Sequence, residues 1–414
     1  MVSTVKRAIR NNIVKIYVLG FFMAFMVVMP VFVPLLQGFD LSMSQILQTQ
    51  AIFALTIALC EVPSGYIADI WGRKNALVLG TALNAVGFVW MFYSDSFVDF
   101  VIYETILGVG MSMASGADLA LLYDSEAYLK DSDADHSSEP SKSISRLVSI
   151  EAGAAAVAGL LTGLLMIWSL ELVVLVQAVT GLLPLFLALS LVEPPRPVFA
   201  SEHGNNAKKI LELLIFGKPV VLWTAIAIVL FGLMSLYAFW VYQKYWQAQG
   251  IPLIYFGYIW AGYGIAVSLS ARWSIYLEQR LGARQLLQLT AALPVIGFTG
   301  MAFFAGWVGI LFGIAIQVSR GLSLSIFYEA LNRRVPGEFR ATVNSLVSLG
   351  TRGSFIITGP ILGIAVDRLG VESTLAVLAA VFAPLAIAVV IPLCRRIKKE
   401  QRLARKQGSS PQAI

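Results

Sequence analysis

Apolar runs of about twenty residues recur twelve times along this chain, at 14–36, 46–68, 75–94, 99–122, 147–168, 171–192, 219–243, 254–277, 285–305, 307–330, 341–364 and 373–394. Wound as a helix at 1.5 Å per residue, such a run covers about 30 Å, the hydrocarbon thickness of a bilayer. In lipid every backbone N–H and C=O must be bonded within the protein, so only helices and closed barrels can span. The runs are continuous and do not alternate in ten-residue strands, which excludes a barrel. Charged residues form 13% of the chain, about half the share of a soluble domain. The expected fold class is an all-α membrane protein with 12 transmembrane helices.

The basic residues orient these helices. With the N-terminus placed in the cytoplasm, all but four of the thirty Lys and Arg residues fall at the termini, in even-to-odd loops or near a cytoplasmic helix end. The exceptions are Arg320 and Arg352 inside spans, Lys244 at the outer end of the seventh and Arg368 in an outer loop. This is the positive-inside pattern. It predicts two cytoplasmic termini and a multi-pass protein of the cell (inner) membrane. The basic balance then reflects topology, and no nucleic-acid partner is expected. The tail "RRIKKEQRLARK" reads as a basic patch facing lipid headgroups.

Few residues offer catalytic or metal-binding chemistry. Cys60 and Cys394 lie in different helices and imply no disulfide framework. The first apolar run is long and lacks a cleavage site, so it reads as a span and not as a removed signal peptide. His136 and His203 are the two histidines, both in polar loops, which excludes a histidine proton relay. No metal cluster, phosphate-binding loop or nucleophile elbow is present, so neither cofactor, metal nor enzymatic activity is expected.

The chain also repeats itself. "LQGFDLSMSQI" parallels "AQGIPLIYFGY", aligning Gly38 with Gly250. "DIWGRK" parallels "QRLGAR", aligning Gly72 with Gly282. "GMSMASGAD" parallels "GLSLSIFYE", aligning Gly110 with Gly321 and Asp118 with Glu329. Gly153, Gly159 and Gly163 share their spacing with Gly353, Gly359 and Gly363. Four collinear matches at offsets of 200 to 212 residues describe two tandem six-helix halves. The predicted organisation is a first bundle at 1–194, a linker at 195–218 rich in Pro, Ser and Asn, a second bundle at 219–394 and a basic tail at 395–414.

Within this frame Gly65-x3-Asp69-x2-Gly72-Arg73-Lys74, directly after the second span, resembles the signature loop of the major facilitator superfamily. The resemblance covers essentially the whole chain through helix number, linker and repeat. The lead-in Glu61-Val62-Pro63-Ser64 and the stretch "GADLALLYDS" are similar to a bacterial, drug-efflux-like subgroup. The second-half copy is degraded: Gln279 replaces the acid and Ala283 the arginine, while Gly282 and Arg284 persist. Gly363, Asp367 and Gly370 echo the G-x3-D-x2-G part, in keeping with the nested inverted repeats of such transporters. The resemblance implies two pseudo-symmetric six-helix bundles that rock to give alternating access. It also implies a central cavity lined by spans 1, 4, 7 and 10, and packing of span 5 on 8 and 11 on 2 through the glycines.

Charges inside spans cost several kcal/mol and so face a cavity or a partner. Glu104, Asp118 and Glu151 are candidate proton carriers, since burial favours a protonated carboxyl and a nearby arginine an ionised one. Arg320 and Arg352, placed near the midplane, are candidates for holding an anionic substrate group. Permanent cross-half ion pairing is the structural alternative for all five. Tyr17, Tyr237 and Trp240 are candidate substrate-stacking residues, whereas Tyr245 and Trp246 read as an interfacial aromatic belt. The signature loop reads as a cytoplasmic gate. Asp69 would face the N-terminus of span 11, Arg73 would pair with Asp124 first or Asp118 second, Gly65 would permit close contact and Gly72 would make the turn.

Without a nucleotide-binding loop, energy comes from an ion gradient or the substrate's own. The function expected from sequence is proton-coupled export of a small amphiphilic compound by a monomer in the lipid bilayer. The alternatives are a transporter of an organic anion, and a lipid flippase or non-transporting sensor on the same fold.

Overall fold

The computed structural model describes residues 2–132, 140–195, 219–336 and 339–406. Its elements are α1 (Val2–Ala24), α2 (Phe32–Gln37), α3 (Met43–Trp71), α4 (Arg73–Tyr93), α5 (Phe97–Ala114), α6 (Ala117–Ser132), α7 (Pro140–Leu165), α8 (Leu170–Thr180) and α9 (Leu183–Leu189). Then come α10 (Pro219–Ala248), α11 (Ile254–Phe303), α12 (Gly306–Arg334), α13 (Arg340–Leu369) and α14 (Val371–Lys406). Eleven helical segments among the described residues are long and apolar enough to cross a membrane. Many large apolar side chains, Leu59, Tyr93, Phe186 and Phe303 among them, lie exposed on the outside. That is the surface of a chain whose solvent is lipid.

The backbone divides into two compact units. One comprises Met1–Phe199 with Pro252–Ala261, the other Ala200–Ile251 with Gly262–Ile414. In the first unit α3, α4 and α5 pack closely, because small residues face each other: a Cβ on Gly80 would lie 2.7 Å from the Gly110 carbonyl. The glycines of α7 work the same way. A Cβ on Gly163 would lie 2.7 Å from the Tyr258 ring, and Gly159 sits against Gly257 and Ala261. Small residues in lipid let backbones approach to van der Waals contact. Gly153 and Gly353 are not used so; a Cβ at either meets nothing within 4 Å.

Several expected spans are interrupted. The run 14–36 is not one helix: α1 ends at Ala24, a 3-10 turn follows at Met29–Val31, and α2 resumes at Phe32. Pro30 accounts for the break, since proline lacks an N–H and clashes with the preceding turn. The freed groups are satisfied from elsewhere in the unit. Thr162 Oγ1 donates to the Val27 carbonyl at 2.6 Å, and the Val28 N–H donates to Gln177 Oε1 at 3.4 Å. The run 99–122 also breaks, at Ser115–Gly116, and 171–192 breaks between α8 and α9. The basic tail expected from 395 is helical to Lys406 as the end of α14. The linker expected at 195–218 lies, Pro195 apart, outside the described residues. So do both histidines.

α11 is 50 residues long, and two helices run on from one another across Gly282, whose φ is 75° and ψ 156°. Gly72 turns α3 into α4 with φ 96° and ψ 147°. Both conformations are open only to glycine at low cost, and the repeat aligns the two positions.

Candidate functional site

The signature loop is knotted into the first unit by groups far away in sequence. Arg73 forms an ion pair with Asp124 of α6, the pairing expected from the sequence, and its Nη1 also donates to the Ala120 carbonyl at 2.6 Å. The N-terminus of α4 is filled by a carboxylate that sequence reasoning missed. Glu193 Oε1 accepts from the Arg73 N–H at 3.1 Å and Oε2 from the Lys74 N–H at 2.7 Å. Exposed N–H groups and the helix dipole favour an anion there. Nearby, Asn12 is wholly buried and tied in both directions to Val192: its Nδ2 donates to the carbonyl at 2.6 Å and its Oδ1 accepts from the N–H at 3.1 Å. Gly65 and Asp69, by contrast, are exposed, and a Cβ on Gly65 meets nothing within 4 Å.

Two of the three candidate proton carriers come together. The break at Ser115–Gly116 puts Asp118 in the first turn of α6, where its carboxylate accepts from the Leu119 N–H at 2.7 Å. Glu151 of α7 lies within electrostatic reach of Asp118. Its Oε1 borders Gly20 of α1, where an added Cβ would approach it to 3.4 Å. One turn before Gly20, Tyr17 carries the Arg146 guanidinium 5.4 Å over its ring. Tyr17, Gly20, Asp118, Arg146 and Glu151 thus form one cluster where α1, α6 and α7 meet.

Glu104 stands apart. It is 3% exposed on α5 and accepts a hydrogen bond from Gln50 Nε2 of α3, a partner the sequence did not disclose. Fourteen residues separate it from Asp118, about 20 Å of helical path. A further buried acid, Glu126, accepts from Ser143 Oγ at 2.7 Å. It too escaped sequence reasoning, as its motif-free surroundings give no signal.

In the second unit the aromatic residues of α10 are core, which corrects the interfacial-belt reading of Tyr245 and Trp246. Both are 0% exposed. Tyr245 Oη donates to the Phe304 carbonyl at 2.8 Å, Tyr242 Oη to the Gly313 carbonyl at 3.1 Å and Tyr263 Oη to the Ile310 carbonyl at 2.6 Å. Trp246 stacks on Tyr242 with centroids 6.0 Å apart. Gly309 and Gly313 make room for two of these rings. Tyr237 packs on Phe355 and Phe382 at 6.4 and 5.7 Å, and Trp240 meets Phe239 edge-on at 5.0 Å. Both are buried in bundle packing.

Arg320 is half-buried on α12, with the Tyr242 hydroxyl in its electrostatic reach. Tyr242 is also hydrogen-bonded by Gln317, one turn before Arg320. Arg352 on α13 is half-buried in reach of Tyr328. Among the described residues no group of three or more His, Cys, Asp or Glu side chains could hold a metal ion.

Residues 16–331, more than half of the chain, match the family model described as Major Facilitator Superfamily. The chain belongs to that superfamily. No curated protein matches it by sequence. Among solved structures it is similar to a point mutant of the nucleoside transporter NupG at 13% identity and a TM-score of 0.73, over 93% of this chain and 100% of that one. It is similar to a bacterial homolog of the human lysosomal transporter Spinster, in an inward-facing and unoccupied conformation, at 15% identity and a TM-score of 0.69, over 95% and 98% of the two chains. A D-xylose–proton symporter matches at 16% identity and a TM-score of 0.69, over 92% and 97%.

Proposed function

We propose that the protein is a secondary active transporter that exports a small amphiphilic organic compound in exchange for protons, as a monomer working by alternating access. The reading takes α11 as two spans divided at Gly282, which brings the number to twelve, with both termini in the cytoplasm of the cell membrane. The observation that supports it best is the meeting of Asp118 and Glu151 beside Gly20 and Tyr17. Carboxyl groups inside a membrane-embedded bundle can each take up or release a proton as their surroundings change, which is the exchange that a proton carrier performs. Glu104, bonded to Gln50, is proposed as a second protonation site. The similarity to a proton symporter supports the proton as coupling ion. The gate residues take the roles their geometry favours. Arg73, Asp124 and Gly72 fix the loop, while the exposed Asp69 and Gly65 are the part available to a closing contact.

The test uses proteoliposomes and a fluorescent amphiphilic cation. An imposed pH gradient should drive its accumulation, and adding the cation should release protons. Accumulation indifferent to the gradient would overturn the antiport reading; proton movement in the same direction as the cation would make the protein a symporter.

A second reading rests on Arg320, whose neighbours in its unit, Tyr242 and Gln317, are hydrogen-bonding groups and not acids. There an organic anion would bind through Arg320, with Arg352 as a second cation. Arg320→Gln should then abolish anion transport, and anion affinity unchanged by it would refute this reading.

A further inference from the structure

A groove of about 820 Å³ opens on the second unit between the helix that follows Gly282 and the middle of α14. Its walls are apolar, with Ala291 and Ile296 on one side and Ala386 and Ile387 on the other. One end is different: Arg284, Arg395 and Lys398 converge there beside Gln288 and Cys394, and among the described residues no acid lines the groove. Nearby charges on α14 are engaged elsewhere. Arg396 lies over the Trp223 ring at 5.8 Å, and the acid Glu400 pairs with Arg334 of α12 at 3.2 Å. From residue 284 to residue 296 the groove runs about 18 Å along the helix, slightly more than one leaflet's hydrocarbon depth of about 15 Å. It is therefore an apolar slot one leaflet deep with a cationic mouth.

The corresponding turn of the first half is an anion site of its own, built from backbone N–H groups. There the Glu193 carboxylate occupies the start of α4 and accepts from the Arg73 and Lys74 N–H groups. In the repeat Arg284 stands where the first half has Lys74. The acid is lost: the offset of 200 that relates the halves beyond their fourth spans brings the uncharged Leu393 to the place of Glu193.

We propose that this groove is a binding site for an anionic glycerophospholipid, one acyl chain lying along Ala291 and Ala386 and the phosphate held by Arg284, Arg395 and Lys398. Charge complementarity selects an anionic headgroup, since arginine and lysine are both phosphate ligands. The apolar wall selects a lipid over free phosphate. The site stands on the groove alone and does not depend on what the protein transports.

The experiment is native mass spectrometry of the full chain, equilibrated in detergent with phosphatidylglycerol or with phosphatidylcholine of the same chains. The wild type should retain one phosphatidylglycerol in preference to phosphatidylcholine. Arg284→Gln/Arg395→Gln/Lys398→Gln should weaken that binding about a hundredfold, at roughly fivefold per lost cation. Ala291→Leu/Ala386→Leu should lower retention of both lipids with no change of charge. A charge-matched control in the tail, Arg402→Gln/Arg405→Gln/Lys406→Gln, should keep the wild-type preference. Equal retention of the two lipids by wild type would overturn the site, as would a loss in the tail control matching that in the groove variant. Should a groove variant fail to fold, alkylation of Cys394 in a Cys60→Ser chain gives a second readout. It should be slower in nanodiscs containing phosphatidylglycerol than in phosphatidylcholine alone, and equal rates would refute the proposal.

Discussion

Gly72 and Gly282 make almost the same backbone turn, at φ 96°, ψ 147° and φ 75°, ψ 156°, yet their surroundings diverge. The turn at Gly72 is closed by the chain's own acids: Glu193 on the α4 N-terminus and Asp124 on Arg73. At Gly282 the arginine has become Ala283, and Arg284 faces a groove without an acid among the described residues. A duplicated backbone has kept its glycine because no other residue takes that conformation cheaply. Its charges were free to change, because their partners come from distant helices. One half became a stitched corner and the other a cationic mouth.

The comparison can be broken by substitution. The largest effects should come from the glycines, where Gly72→Ala and Gly282→Ala each cost about 2–3 kcal/mol in left-handed strain. The two should cost about the same, since a Cβ at Gly72 meets the Glu193 carboxylate only at an ordinary contact of 3.4 Å and that of Gly282 meets nothing within 4 Å. Thermal unfolding in detergent checks this, and a loss at one glycine alone would show that the two turns are not strained alike. Glu193→Ala comes next, at about 2 kcal/mol, because it uncaps α4. The Arg73–Asp124 pair is about one-fifth exposed, so a double-mutant cycle should give a coupling near 1 kcal/mol. Smallest of all, Arg284→Gln in lipid-free detergent should change stability by less than about 0.5 kcal/mol, while removing any stabilisation that phosphatidylglycerol confers.

The two corners also show what could be read in advance. The glycine turns, the repeat and the basic loop are local patterns, and the Arg73–Asp124 pair followed from placing two helix ends on one side of the membrane. Glu193 was not legible, since it lies 120 residues from the N–H it caps. The same holds for Gln50 beside Glu104 and Ser143 beside Glu126. The aromatic residues of α10 were misread for a different reason. In lipid the outside of a bundle is as apolar as its inside, so composition did not tell which face of Tyr245 and Trp246 is core. The interruption at Ser115 was hidden in a continuous apolar run, where hydropathy carries no information on helix breaks, whereas the one after Ala24 has a local signal in Pro30.

The claim that Asp118 and Glu151 carry the coupling proton is tested most directly by separating exchange from uphill transport. In proteoliposomes carrying the Asp118→Asn/Glu151→Gln variant, exchange of the amphiphilic cation at equal concentrations should persist, because it needs alternating access but no net proton movement. Accumulation driven by a pH gradient should vanish. Gradient-driven accumulation at the wild-type rate in that variant would contradict the account.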